Sequence, residues 1–176
     1  MKPCPQNPSS RKVGFELEFI CPNKTQEVLR QSLAAMGEVK TDGSVHARTD
    51  DPLTEARHGW EFASNPASGA GLLKLINKVA EDLKTARAFA NNTCGFHVHF
   101  DMSSTSEIQR KNIQNWWLVF EDLFFAMVPS GRRVSMYARR ATDPTEGPWL
   151  RSRYRALNVT AFSRHRTYEV RLHQGT

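Results

Sequence analysis

At 176 residues and 39% hydrophobic content, with no apolar run near the 18 residues that cross a bilayer, the sequence reads as one soluble globular domain able to bury a core. No apolar segment opens it, so no secretory leader is expected, and the scattered odd set Cys4, Cys21 and Cys94 argues against a disulfide framework; the cytoplasm is the expected compartment. The net charge of +6 is uneven, because residues 131–176 hold ten arginines and no lysine against three acids. Guanidinium groups in that number suit clamps on planar oxyanions, with nucleic acid as a second reading and a solvated surface as the plain one.

Residues 1–12, rich in proline and serine, are expected to be a flexible lead-in to a single domain over 13–176. Val13–Ile20, VGFELEFI, alternates as a strand with Val13, Phe15, Leu17 and Phe19 on one face and Glu16 and Glu18 on the other. Two such carboxylates lie roughly 7 Å apart, and each hinders ionisation of the other unless a cation intervenes, for which a hard divalent metal is the simplest answer. Pro22 and Asn23 turn the chain, and Thr25 is placed to cap a helix with Val28, Leu29, Leu33 and Met36 on its stripe, stopped by Gly37. Residues 38–48 read as a strand interrupted at Asp42-Gly43-Ser44, where Asp42 and Ser44 either face a ligand or make a plain turn, and Asp50-Asp51-Pro52 opens a mobile connection. Trp60-Glu61-Phe62 turns Glu61 away from the side that buries its neighbours.

Asn65-Pro66 ends that strand, and Ser68 caps a packing helix with Leu72, Leu75, Ile76, Val79 and Leu83 inward. Gly95–Phe100 then sets Phe96, Val98 and Phe100 against His97 and His99, and Cys94 before it is expected to be buried. Ser104 with Glu107 forms a capping box for the longest helix. Its Ile113, Trp116, Trp117, Phe120, Leu123, Phe124 and Met127 form a broad stripe expected to cover the apolar sheet face, until Pro129-Ser130-Gly131 ends it. Residues 131–152 read as a long loop near the polar face, Arg153–Phe162 as a strand and Ser163–Arg166 as a turn. Tyr168, Val170 and Leu172 then alternate with Glu169, Arg171 and His173. The fold class is α+β, an antiparallel or mixed twisted sheet with helices on one face and a metal and nucleotide site on the other.

If the alternating strands pair, their polar faces merge into a surface carrying Glu16, Glu18, Glu61, His97, His99, Glu169, Arg171 and His173. Carboxylates and imidazoles beside arginines suit Mg²⁺ or Mn²⁺ shared with the phosphates of a nucleotide, a phosphoryl-transfer layout. Neither GxxxxGK[ST] nor GxGxxG is present, so metals and arginines would have to hold the nucleotide. Two other readings stand beside this one. A transition-metal hydrolase would use His97, His99 and carboxylates but leaves an excess of hard ligands. A basic nucleic-acid-binding module leaves the parity of the acids unexplained.

The motifs GFELEF at 14–19, DGS at 42–44, EFASNP at 61–66, CGFHVHF at 94–100, RYRALN at 153–158 and TYEVRLHQGT at 167–176 occur in that order. Together they resemble the putative amidoligase family, distant relatives of glutamine synthetase and glutamate-cysteine ligase. The resemblance implies a glutamine synthetase-like catalytic domain that uses ATP and Mg²⁺ or Mn²⁺ to join a carboxylate to an amine through an acyl phosphate. The substrates it implies are an amino acid, a peptide or a cell-wall compound; hydropathy separately predicts no membrane partner, and nucleic acid stays the less favoured partner. By that resemblance Glu16, Glu18 and Glu61 are metal carboxylates, His97 is a metal and phosphate ligand, and Glu169 and Arg171 are a metal ligand and the arginine on the transferred phosphate. His99, Arg153, Arg155, Asn158 and His173 form the nucleotide and substrate side. Two departures accompany it. Family members run on into a further helical segment where this chain stops at Thr176, which points to a compact version, a fragment, or completion by a second copy or a partner chain. Asn65 also stands where the family runs from serine directly into proline.

Overall fold

The computed structural model describes residues 10–48, 51, 57–141 and 152–175. Most of the expected lead-in, Cys4, Asp50 and Pro52, residues 142–151 of the expected long loop, and Thr176 lie outside the described residues. The α+β class holds, and the chain divides into two compact units, one reaching Phe96 and including Gly175, the other spanning His97–Gln174.

In the first unit, strand β1 (Val13–Pro22) pairs antiparallel with β3 (Arg57–Ser64), which pairs antiparallel with β2 (Gly37–Thr41). Helices α1 (Gln26–Leu33) and α2 (Gly69–Thr85) cover the apolar face. Leu29, Leu33, Leu75, Val79 and Leu83 close on Phe15, Phe19, Val39, Trp60 and Phe62, each such burial stabilising by about 1.5–3 kcal/mol. The inward stripes are narrower than expected, since Val28 is 64% exposed and Ile76 faces solvent. Thr25 stands at the N-cap of α1 as expected but makes no side-chain cap bond: it also ends a 3-10 turn, Asn23–Thr25, and its hydroxyl donates backwards to Pro22 O at 2.8 Å. Ser68 precedes α2 without a side-chain cap bond. The strand expected over 38–48 stops at Thr41, because Asp42 Oδ1 accepts both Ser44 N–H and Ser44 Oγ–H at 2.7 Å and bends the chain.

In the second unit, β6 (Thr167–Gln174) lies between β4 (Gly95–Asp101) and the two-residue β5 (Leu157–Asn158), to which it is antiparallel. Long helix α3 (Glu107–Ala126) packs Trp117 and Phe125 into a cluster with Met102, Leu157, Tyr168 and Leu172. Its capping box is Ser106 with Gln109, not Ser104 with Glu107. SSTSEIQ offers both spacings, and the earlier serine belongs to a turn fixed by Ser103 N–H on Asp101 and the Thr105 hydroxyl on Met102 O.

The α3 stripe is also displaced. Trp117, Glu121 and Phe125 face inward, whereas Trp116 (63% exposed), Phe120, Leu123 and Met127 face solvent. A buried carboxylate causes this: Glu121 takes Trp117 Nε1–H at 2.9 Å and Ala141 N–H at 2.8 Å, so an acid occupies a core position that hydropathy assigns outward. Short helix α4 (Ser130–Arg133) stands where a loop was expected to begin, and α5 (Ala161–His165) where the strand end and the Ser163–Arg166 turn were expected; Arg166 ends α5 at φ 59°. The expected strand Arg153–Phe162 therefore shrinks to β5.

Candidate functional site

The first unit gathers acids. On β1 and β3, Glu18 and Glu61 stand directly opposite each other, both buried, and the DGS turn adds Asp42, so that one carboxylate oxygen from each of the three lies within 4.8 Å of the others. Asp42 is held there by its own N–H on Gly59 O at 3.1 Å. Gly59 permits that approach, since a Cβ on it would lie 2.3 Å from Val45 O. Glu18 Oε2 accepts Gly95 N–H at 2.6 Å. Lys40, opposite Glu61 on β2, puts Nζ 2.7 Å from Glu61 Oε1. Burial pushes the Glu61 carboxyl above its ordinary range, and the charge of half-buried Glu16 pushes the same way against Lys40. Lys40 is raised in turn, first by its hydrogen bond to Glu61. Opposed buried carboxylates that offer oxygen ligands alone fit a hard divalent cation. Beside them Ile20, Val45 and Cys94 form a small apolar cluster.

The second unit builds a clamp around one carboxylate. Glu169 is opposite Asn158 in register and accepts its Nδ2–H at 2.7 Å on Oε2, while Oε1 accepts a bond from Arg171. His97 Nδ1 lies 3.4 Å and His99 Nε2 3.9 Å from that same Oε1, and His99 Nδ1 meets Thr167 Oγ1 at 3.0 Å. Arg171 is further fixed by donating from Nε to Tyr137 O at 3.0 Å. Asn158 is oriented by Thr160, whose N–H and hydroxyl both donate to Oδ1. His97, Asn158, Glu169 and Arg171 are all buried.

The remaining residues of the sequence-derived set lie elsewhere. Arg155, expected on the nucleotide side, is completely buried and donates to Arg140 O. Arg153 is exposed, its guanidinium 5.3 Å from the Tyr154 ring. His173 is exposed beside an apolar cavity of about 300 Å³ lined by Val98, Trp117, Phe124 and Leu172. Asn65 donates to Ala35 O at 3.2 Å and serves the connection between α1 and β2. Asp42 and Lys40 are the members that the candidate set lacked. The DGS motif pointed at the first, and the alternation of β2 could have found the second.

A family model described as "Putative amidoligase enzyme" matches residues 38–145, more than half of the chain. The chain belongs to this family. The matched stretch holds Lys40, Asp42, Glu61, His97 and His99 of the amidoligase chain, while Glu16, Glu18, Glu169 and Arg171 flank it. No curated protein matches the chain. Among the described residues no helix is long and apolar enough to cross a membrane.

Proposed function

We propose that this amidoligase is an ATP-dependent carboxylate-amine ligase with a glutamine synthetase-like catalytic domain, working through an acyl phosphate. In this reading the substrate carboxylate attacks the terminal phosphorus of ATP, ADP leaves, and an amine then displaces phosphate from the acyl carbon to give the amide. The observation that carries it is the acid trio of Glu18, Asp42 and Glu61 in a chain of this family. Bound Mg²⁺ or Mn²⁺ would supply charge neutralisation at phosphate oxygens.

The chain's own residues take the other roles. Glu18, Asp42 and Glu61 hold the ion, with Glu16 on the same face of β1, and Gly95 N–H keeps the Glu18 carboxylate in one orientation. Arg171, fixed by Glu169 and Tyr137 O, has guanidinium donors beyond those two bonds, and they suit the charge on a transferred phosphoryl group. Asn158 orients Glu169, and His97 and His99 stand ready as donors or ligands at the nucleotide. A transition-metal hydrolase on His97, His99 and carboxylates is less well supported, since it leaves an excess of hard oxygen ligands in Glu18, Asp42 and Glu61.

The acid is an amino acid, a peptide or a cell-wall compound, and the amine is of the same range. A screen of acid and amine pairs for ADP release identifies them. Glu61→Gln should abolish Mg²⁺-dependent nucleotide binding while the fold persists, and unchanged nucleotide affinity would overturn the assignment.

A further inference from the structure

We propose that Lys40 is a resident cation in the acid pocket, one that a divalent ion must displace, so that this side chain sets how tightly the pocket binds metal. The inference rests on the reading of the pocket as a divalent-cation site. Its basis is the pairing of β2 with β3, which puts Lys40 opposite Glu61 and its Nζ 2.7 Å from Glu61 Oε1. The two ends of this pair differ in exposure. The Glu61 side chain is 9% exposed and the Lys40 side chain 48%, so the ammonium reaches a buried carboxylate from the rim on an arm that can swing back into water.

Glu61 is also one of the three carboxylates whose oxygens lie within 4.8 Å of one another. A divalent ion coordinated to it at about 2.1 Å would face the ammonium across the same carboxylate, and two cations so close repel in a partly desolvated site. One of them leaves. Lysine suits this role because its charge is a mobile point on a flexible stem, whereas a fixed guanidinium fork would hold the carboxylate more permanently.

Two measurements test the inference without relying on turnover. In the first, Mn²⁺ binding is titrated by calorimetry in the wild type, Lys40→Met and Lys40→Arg. Lys40→Met is expected to tighten binding about tenfold and Lys40→Arg to weaken or preserve it. Equal or weaker affinity in Lys40→Met with a native circular dichroism spectrum overturns the inference and leaves the metal site standing. Absence of Mn²⁺ binding in all three proteins overturns both. In the second, amine acylation of the wild type is followed by mass spectrometry with and without saturating Mg²⁺. Labelling of Lys40 is expected to rise several-fold with the ion, and an unchanged rate overturns the inference whether or not the variant folds.

Discussion

Glu61 and Glu169 are both buried glutamates on strands, yet their surroundings compensate them in opposite ways. Glu61 faces another carboxylate across the β1–β3 pair, has a third within reach in the DGS turn, and relies on one half-exposed lysine. Glu169 is bonded on both oxygens, by Arg171 and Asn158, with two imidazoles close by. Like charges directly opposite on paired strands destabilise a sheet, whereas a buried, hydrogen-bonded ion pair becomes costly only when one partner is removed. In one region an added cation would offset like charges; in the other the carboxylate already has a hydrogen-bond donor on each oxygen.

The most disruptive way to test that contrast is Glu169→Gln. It leaves Arg171 buried without its counter-charge, and the expected loss is about 3–5 kcal/mol, or roughly 6–20 °C in melting temperature for a chain of this size. Guanidinium unfolding measures it, and a loss below about 1 kcal/mol would show the clamp to be less self-contained than its bonds suggest.

The same change in the other region should act in reverse. Glu61→Gln removes a repulsive charge, so the metal-free melting temperature is expected to hold or rise, while the gain on adding Mg²⁺ disappears. For a site saturated at a hundredfold over its dissociation constant that gain is about 2.7 kcal/mol in the wild type. Thermal melts with and without the ion give both numbers, and a lower metal-free melting temperature in Glu61→Gln would reverse the sign assigned to the trio.

A smaller effect is expected from Gly59→Ala, which touches no carboxylate. Its Cβ would meet Val45 O at 2.3 Å and Val45 Cβ at 2.5 Å, lifting the turn that carries Asp42 from β3. A stability loss of about 1–3 kcal/mol should accompany weaker Mn²⁺ binding. Weaker stability with unaltered binding would remove Asp42 from the ligand set.

The strands were legible because a period of two needs only apolar and polar residues in alternation, which β1, β4 and β6 keep without exception over Phe15–Phe19, Phe96–Phe100 and Tyr168–His173. Depth was not legible. Alternation assigns Glu18, His97 and Arg171 to a polar face but cannot say that these residues are buried, because burial depends on what covers that face. Nor could it supply Asp42, whose place is fixed by a turn and a bond to Gly59 O between residues far apart in sequence. Glu121 misled the reading of α3 for a related reason: its carboxylate is satisfied inside by Trp117 and Ala141, and hydropathy does not register hydrogen-bond partners. The arginine-rich segment shows the same limit. Arg132 donates to Leu172 O and Arg171 O, and Arg133 to Val128 O and Ala126 O, so charge that read as an oxyanion surface partly ties carbonyls within the unit.

The smallest expected effect lies at the edge of the acid pocket. Burial pushes the Cys94 thiol up to about 11, and the Glu18 charge contributes in the same direction. A thiol whose pKa is higher in the fold than in the unfolded chain favours folding while it stays protonated, and that contribution is lost as pH rises from about 9 through 11. Stability should therefore decline over that window, and the decline should shrink in Cys94→Ala. Thiolate absorbance followed against pH gives the same quantity directly. Glu18→Gln should move the Cys94 transition slightly downward, since it removes one negative charge but leaves burial as the main cause. An upward or absent shift, with the fold intact by circular dichroism, would mean that the Glu18 charge does not act on Cys94, and the contrast between a pocket of gathered acids and a carboxylate bonded on both oxygens would fail at its first residue.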